Sequence, residues 1–480
     1  MKKIRTRFAP SPTGYMHIGN LRTALYAYLI AKKDNGDFIL RVEDTDQGRL
    51  VEGAVDIIYQ TLKQCGLKHD EGPDVGGDFG PYVQSERMAS GIYSKYAHEL
   101  VAMGKAHVCF CKEEGIEKQR QEAGDSFYFV DPCKLLSKEE VESRINAGEP
   151  YVIRLNVTPE GTTSFTDEVY GTITVENKTL DEMVLLKSDG FPTYNFANVI
   201  DDHLMEISDV VRGNEYLSST PKYNLIYQAF GWDIPRYIHC PPVMKDEHQK
   251  LSKRNGDASF QDLLAKGYLP EAVLNYIALL GWSPEEDREI YTIEELAKAF
   301  NVKRIGTTGA IFDIEKLTWM NGVYIRNMEK DAYYEMVKPY ITETVGDKYD
   351  YRLIGDAIHD RINTLSEIHD MITFFNKVED FEKDLYVNKK AKTDSENVVM
   401  ILPEVYNVLS SIQGEWNNEN IFTALAEKAK ELGYKNITMM YPMQVALSGR
   451  SVAPGGATAI AEILGKDETL TRLQNAISRL

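Results

Sequence analysis

Ile4-Arg5-Thr6-Arg7-Phe8-Ala9-Pro10-Ser11-Pro12-Thr13-Gly14-Tyr15-Met16-His17-Ile18-Gly19-Asn20 lies at the start of the chain and decides how the rest is read. Ile4 to Phe8 has the composition of a short strand, and Pro-Ser-Pro-Thr-Gly breaks it. Leu21, Ala24, Leu25, Tyr28 and Leu29 then recur at helical spacing, with Gly36 as the expected helix stop. Phe38 to Val42 reads as a second strand, ending in Glu43-Asp44-Thr45-Asp46. Strand, loop, helix and strand make one βαβ unit, the building block of a parallel sheet.

A similar unit recurs downstream. Ile207 to Val211 is strand-like, Thr220 with Pro221 is a helix start, and Gly231 ends that helix. Between the two units the texture changes. Helical stretches, with a capping-box match at Ser137 and Glu140, mix with β-rich stretches at 151–157 and 172–175. The segment reads as an insertion that splits one nucleotide-binding fold. From about Asp262 onward the pattern is mainly helical, with no internal repeat and no low-complexity linker.

The chemistry implied by the first unit starts at its loop. A helix N-terminus attracts phosphate through free N–H groups and the helix dipole. Gly14 and Gly19 let backbone approach a ligand closely, and His17 sits where loop becomes helix. A histidine in such a loop is by default structural, so the second motif matters. Lys250-Leu251-Ser252-Lys253-Arg254 lies more than two hundred residues later, and Asn255-Gly256 behind it favours a turn. Read alone it is a solvated basic loop. Read with His17 it supplies cations for a departing pyrophosphate.

Bulk properties bound the answer. A chain of 480 residues has room for three or four domains, and its 43% hydrophobic content is ordinary for a globular protein. The best apolar run, 273–282, is far shorter than a membrane span. Lys2, Lys3, Arg5 and Arg7 precede no apolar h-region, and a motif beginning at Pro10 leaves no room for a removable leader. Five cysteines, an odd number, fit reduced cytoplasmic thiols rather than a disulfide framework. The net charge of −19 does not by itself suggest a nucleic-acid partner. The first fifty residues are nonetheless basic, with nine Lys/Arg against five Asp/Glu. Any phosphate contact is therefore expected to be local and salt-sensitive.

The two motifs together resemble the HIGH and KMSKS signatures of class I aminoacyl-tRNA synthetases. The stretch from Arg7 to Asn20 with Lys250 to Arg254 resembles the bacterial glutamyl branch, and the resemblance runs along nearly the whole chain. Asn20, Leu251 and Arg254 depart from the signatures in ways that branch tolerates. The resemblance implies an α/β Rossmann-type catalytic domain with an inserted α+β domain, followed by an all-α C-terminal anticodon-binding region. The expected boundaries are 1–80 with 188–242 for the catalytic domain, 81–187 for the acceptor-binding insertion, 243–327 for a connecting domain and 328–480 for the helical region.

The implied reaction is activation of L-glutamate by ATP with Mg²⁺, then transfer to the 3′ end of tRNA(Glu). His17, Lys250 and Lys253 would be catalytic. Pro10, Gly14, His17, Gly19, Asn20, Lys250, Ser252 and Lys253 would hold ATP. Arg7, Ser11, Glu43, Tyr194, Asn198 and Arg212 would hold glutamate, an arginine offering the planar fork that a carboxylate needs. Arg361 and Arg450 fall where tRNA contacts are implied. Cys109, Cys111 and Cys133, spaced C-x-C-x₂₁-C, match part of a zinc site that some relatives carry. Leu135 stands at the usual fourth-ligand place, so His107, Tyr128 or Asp131 would have to substitute. Cys65 and Cys240 show no pattern. The expected form is a cytoplasmic monomer with no membrane attachment. Asn20 and the helical tail argue against the glutaminyl branch, which also ends in β-barrels. A truncated tRNA-modifying relative would lack some 150 of these residues. A nucleotidyltransferase would not explain 250–254, and an inactive tRNA-binding paralogue would not explain His17, Lys250, Lys253, Glu43 and Arg212 together.

Overall fold

The computed structural model describes residues 3–46, 48, 50–112, 114–117, 121, 131–251 and 259–480. They form two compact units, 1–263 with 273–313, and 264–272 with 314–480.

The first unit is built on a six-stranded sheet ordered β2-β1-β8-β9-β5-β6. These strands are β1 Arg5–Phe8, β2 Asp37–Leu40, β5 Thr162–Asp167, β6 Gly171–Glu176, β8 Asp209–Gly213 and β9 Arg236–Cys240. The pairs β1–β2, β1–β8, β8–β9 and β5–β9 are parallel, and only the edge hairpin β5–β6 is antiparallel. The expected βαβ unit is present, with helix Ile18–Lys33 between β1 and β2. Leu21, Ala24, Leu25 and Leu29 of that helix are fully buried, as their spacing predicts. Its C-terminus differs in detail from the expected glycine stop. Asn35, not Gly36, takes the left-handed conformation at φ 52°. Gly36 is needed for space instead, because a Cβ there would lie 2.3 Å from the Ile4 carbonyl oxygen.

The second unit of the sheet, β8 then helix Thr220–Phe230 then β9, also forms as read, and Gly231 ends the helix at φ 70°. Thr220 does not cap that helix, however. Ser219 occupies the N-cap, and the Thr220 hydroxyl donates to the Tyr216 carbonyl at 2.8 Å. Within 81–187 lies a separate antiparallel sheet ordered β3-β4-β7, from β3 Ala106–Cys109, β4 Val152–Leu155 and β7 Val184–Leu186. The capping box at Ser137 and Glu140 is complete. The hairpin β5–β6 falls in the same stretch of chain but extends the main sheet through Asp167 beside Tyr237.

The second unit of the chain is helical, from Ile314–Arg326 to Lys466–Arg479. Ile341, Phe375, Leu402, Met443, Ile460 and Leu473 are fully buried in its one contiguous core cluster. Each such side chain contributes roughly 1.5–3 kcal/mol of burial. Arg472 is buried too. Its guanidinium donates to the carbonyls of Phe374 and Leu447 at 2.8 Å and Phe375 at 2.6 Å, fastening the last helix to two others.

Candidate functional site

The first motif forms the loop from β1 into helix Ile18–Lys33. His17 is that helix's N-cap, and its Nδ1 accepts from the Gly19 N–H at 3.0 Å. That bond leaves the proton of a neutral ring on Nε2, the donor form a phosphate oxygen requires. Gly14, at φ 107°, turns the chain where no side chain is comfortable. Pro10 is buried and its carbonyl accepts from the Glu43 N–H at 3.0 Å; Ser11 and Asn20 are exposed.

The described chain on either side of residues 252–258 meets the same loop. On one side Leu251 N–H donates to Val243 O at 3.0 Å and Lys250 bridges Met244. Val243 in turn sits within 4.0 Å of the point where a Cβ on Gly19 would be. On the other side Ser259 bridges His17, Phe260 N–H donates to Met16 O at 3.0 Å, and Met16 N–H donates to the Gln261 side chain at 3.1 Å. Ser252 and Lys253 lie outside the described residues. The exposed Lys250 is thus the motif's described cation.

Behind the loop lies a buried polar cluster. Arg7 donates from Nε to Asp202 at 3.0 Å and from Nη1 to the Val211 carbonyl at 3.1 Å. Arg41 joins Asp202 and Glu43, both at 2.8 Å, and Arg87 joins Asp201 at 2.7 Å. Burial pushes the Asp202 carboxyl up, but the guanidinium groups of Arg7 and Arg41 outweigh it and hold it below the ordinary carboxylate range. The sequence reading picked out Arg7 and Glu43 but not Arg41, Asp201 or Asp202. Nothing local marks Asp201 or Asp202, whose partners are more than a hundred residues away, and Arg41, though it pairs with nearby Glu43, meets Asp202 only across the fold.

Arg212, on β8, is 5% exposed. Its cation lies 4.7 Å from the Tyr223 ring centre, 5.3 Å from Tyr216 and 5.4 Å from Tyr237. It donates to His239 and Thr220, and among the described residues it pairs with no carboxylate. Tyr194 packs 5.5 Å from Tyr216. Burial lifts the Tyr194 phenol well above its ordinary range; Glu43 adds to the shift and Arg212 opposes it, so acid and base flank the same ring. Asn198 is buried on the same helix, its amide donating to the Tyr194 carbonyl at 2.7 Å. Arg7, Glu43, Tyr194, Asn198 and Arg212 are therefore gathered at this end of the sheet.

The cysteine expectation resolves differently. Cys109, Cys111, Asp131 and Cys133 bring their ligand atoms within 4.8 Å of one another. The Cys111 and Cys133 sulfurs are 3.8 Å apart, the edge of a tetrahedron with metal–sulfur bonds of about 2.3 Å. Asp131 completes the set, while His107 stands behind it, donating to its other oxygen at 2.9 Å. Leu135 is exposed and Tyr128 lies outside the described residues. Burial, reinforced by Asp131, pushes the Cys109 thiol up to about 11, so a metal would have to displace the proton. In the helical unit Arg361 is exposed. Arg450 donates to the Met371 carbonyl at 3.0 Å and Thr373 at 2.9 Å.

Comparison with known proteins sharpens this picture. Residues 3–319 match the family described as tRNA synthetases class I (E and Q), catalytic domain, and residues 332–477 match the anticodon binding domain family. The chain is 56% identical to a glutamate–tRNA ligase of Clostridium tetani, across 100% of this chain and 98% of that protein. It is 55% identical to one from Clostridium botulinum, across 100% and 99%. Among solved structures, a glutamate tRNA ligase from Elizabethkingia meningosepticum, in complex with its amino acid, superposes with a TM-score of 0.91 at 34% identity, covering 100% of both chains. The synthetase from Elizabethkingia anophelis gives 0.89 at 34%, covering 99% and 100%.

Proposed function

The chain belongs to the class I tRNA synthetases of the glutamate and glutamine type, and on that premise we propose that it is a glutamate–tRNA ligase with the following division of labour. The carboxylate of L-glutamate attacks the α-phosphate of ATP, pyrophosphate departs, and the glutamyl group passes to the 3′ end of tRNA(Glu) with release of AMP. No protein nucleophile is needed, so catalysis rests on positioning and on charge stabilisation. His17 donates from Nε2 to the phosphates, beside the N–H groups of its helix start and the backbone of Pro10, Gly14, Gly19 and Asn20. Lys250, with Ser252 and Lys253, neutralises the leaving pyrophosphate, and Mg²⁺ accompanies ATP as part of that substrate. Glu43 takes the substrate ammonium, Arg7 orders the acids around it, and Tyr194, Asn198 and Ser11 give polar contacts.

The observation that carries the choice of amino acid is Arg212. A buried guanidinium ringed by aromatic faces, with no described carboxylate beside it, is prepared for the side-chain carboxylate of glutamate. The glutaminyl reading would leave that cation without its partner. ATP–pyrophosphate exchange, run with glutamate and with glutamine, each with and without cognate tRNA, tests the choice. Exchange with glutamate supports the assignment, exchange with glutamine alone replaces it with the glutaminyl one, and exchange with neither replaces it with an inactive paralogue.

The 81–187 segment takes the acceptor end in this reading, 243–327 connects, and 328–480, with Arg361, faces the anticodon. Arg450 serves there by holding the backbone at 371–373. Cys109, Cys111, Cys133 and Asp131 fit a structural zinc ion, three thiolates and a carboxylate in tetrahedral reach. The ion would tie β3 to the 131–135 turn. We read the working form as a cytoplasmic monomer. None of the five cysteines is joined in a disulfide, and among the described residues no helix is long and apolar enough to cross a membrane. A solution mass near 54.4 kDa is expected.

A further inference from the structure

Resting on the reading that Arg212 binds the substrate's side-chain carboxylate, we propose that His239 and Asp167 are positioning residues. They fix the Arg212 guanidinium so that one fork of two N–H groups faces the amino acid, and so favour a carboxylate over an amide.

The three side chains run across adjacent strands. Asp167 ends β5, His239 lies in β9 and Arg212 in β8, with His239 and Arg212 directly paired in the parallel register. All three are buried, His239 fully. Donor and acceptor roles follow from what each group already holds. Asp167 accepts from the backbone N–H of Val169 and Tyr170 at 2.9 Å and of His239 at 3.1 Å. An aspartate carboxylate can only accept. His239 Nδ1, 2.7 Å from that carboxylate, therefore carries the ring proton. Its Nε2 is then a lone pair, and Arg212 Nε–H, which can only donate, points at it from 3.2 Å. Burial and the Arg212 charge both keep His239 neutral, against the pull of Asp167.

Thr220 completes the clamp. Its hydroxyl gives its hydrogen to the Tyr216 carbonyl and accepts from Arg212 Nη2 at 2.9 Å. Nε and Nη2 share one edge of the planar guanidinium, so this edge is occupied by His239 and Thr220. The edge formed by Nη1 and the remaining Nη2 hydrogen is left for a bidentate carboxylate. An amide side chain could accept at only one of these two donors and would turn its own N–H₂ toward the other.

Substitution at 239 separates positioning from mere packing. Asparagine keeps a donor where Nδ1 stood but removes the acceptor facing Arg212; glutamine puts an amide oxygen within reach of the Nε2 position. In steady-state aminoacylation, His239→Asn is expected to raise the KM for glutamate roughly 10–100-fold, the loss of one hydrogen bond to a charged group, with the KM for ATP moved by less than about two-fold. His239→Gln is expected to recover most of that loss. Equal impairment in the two variants, or parallel rises in both KM values, would overturn the proposal. Arg212→Ala is measured alongside. If it leaves the glutamate KM unchanged, the reading of Arg212 itself falls; if it raises that KM while His239→Asn does not, the positioning role alone falls.

Discussion

His17 owes its chemistry to one bond. With Nδ1 held by the Gly19 N–H, the ring presents Nε2 as a donor without needing a positive charge. His17→Ala is expected to fold normally and to lose roughly 10²–10³ in activation rate, the effect of removing one transition-state donor. Pyrophosphate exchange with circular dichroism as the folding control checks both halves. Arg212→Ala is expected to raise the glutamate KM steeply while ATP binding survives, which initial-rate kinetics varying each substrate in turn would read. The sequence names both residues as candidates, His17 from its place after Pro-Ser-Pro-Thr-Gly together with the second motif, and Arg212 only through the family resemblance, since alone it reads as a strand-end charge. Their supports were not. His239 and Asp167 are ordinary residues in strands, and only the crossing of β5, β9 and β8 brings them to Arg212. Asp131 was one of three candidates for the metal set and needed the fold to single it out.

At the scale of elements, short-range rules held wherever partners lie within a few residues. The helix after the first motif and the Ser137–Glu140 capping box formed as read. The rules faltered where tertiary demand took a residue away from its local role. Thr220 was read as a helix cap, but its hydroxyl belongs to the Arg212 clamp. Gly36 was read as a conformational stop, but the close passage of β1 against the turn is what excludes a side chain. Gly36→Ala is expected to destabilise the first unit by about 1–3 kcal/mol, the usual cost of overpacking, because the obstructing atom is backbone and cannot rotate aside. A shift in the urea midpoint without a change in slope would record it. The cysteine cluster offers a second test at this scale. Protein purified without chelator is expected to carry about one zinc per chain by elemental analysis, as a closed tetrahedral site requires. A content near zero would leave the three thiols as core residues.

Taken whole, the molecule is strongly acidic, and its RNA partner is more so. Binding must therefore run through local cations, the role proposed above for the exposed Arg361. The KM for tRNA is expected to climb steeply between about 50 and 200 mM salt, while that for glutamate moves little, since only the first releases many counterions. Aminoacylation across a potassium chloride series would separate the two. The acidity hides a local exception. Around the proposed amino-acid site Arg7, Arg41 and Arg87 are answered by Glu43, Asp201 and Asp202, acid for base, but among the described residues Arg212 has no such counterpart. A chain with nineteen negative charges in surplus thus keeps at this site a buried guanidinium that, among the described residues, has no carboxylate partner. Such a charge is costly unless paired. Free glutamate carries a net charge of minus one and makes the site electroneutral; glutamine carries none and leaves the debt standing. Selection between them is on this view a matter of valence before shape, and enlarging or reshaping the pocket alone would not teach the enzyme to accept glutamine.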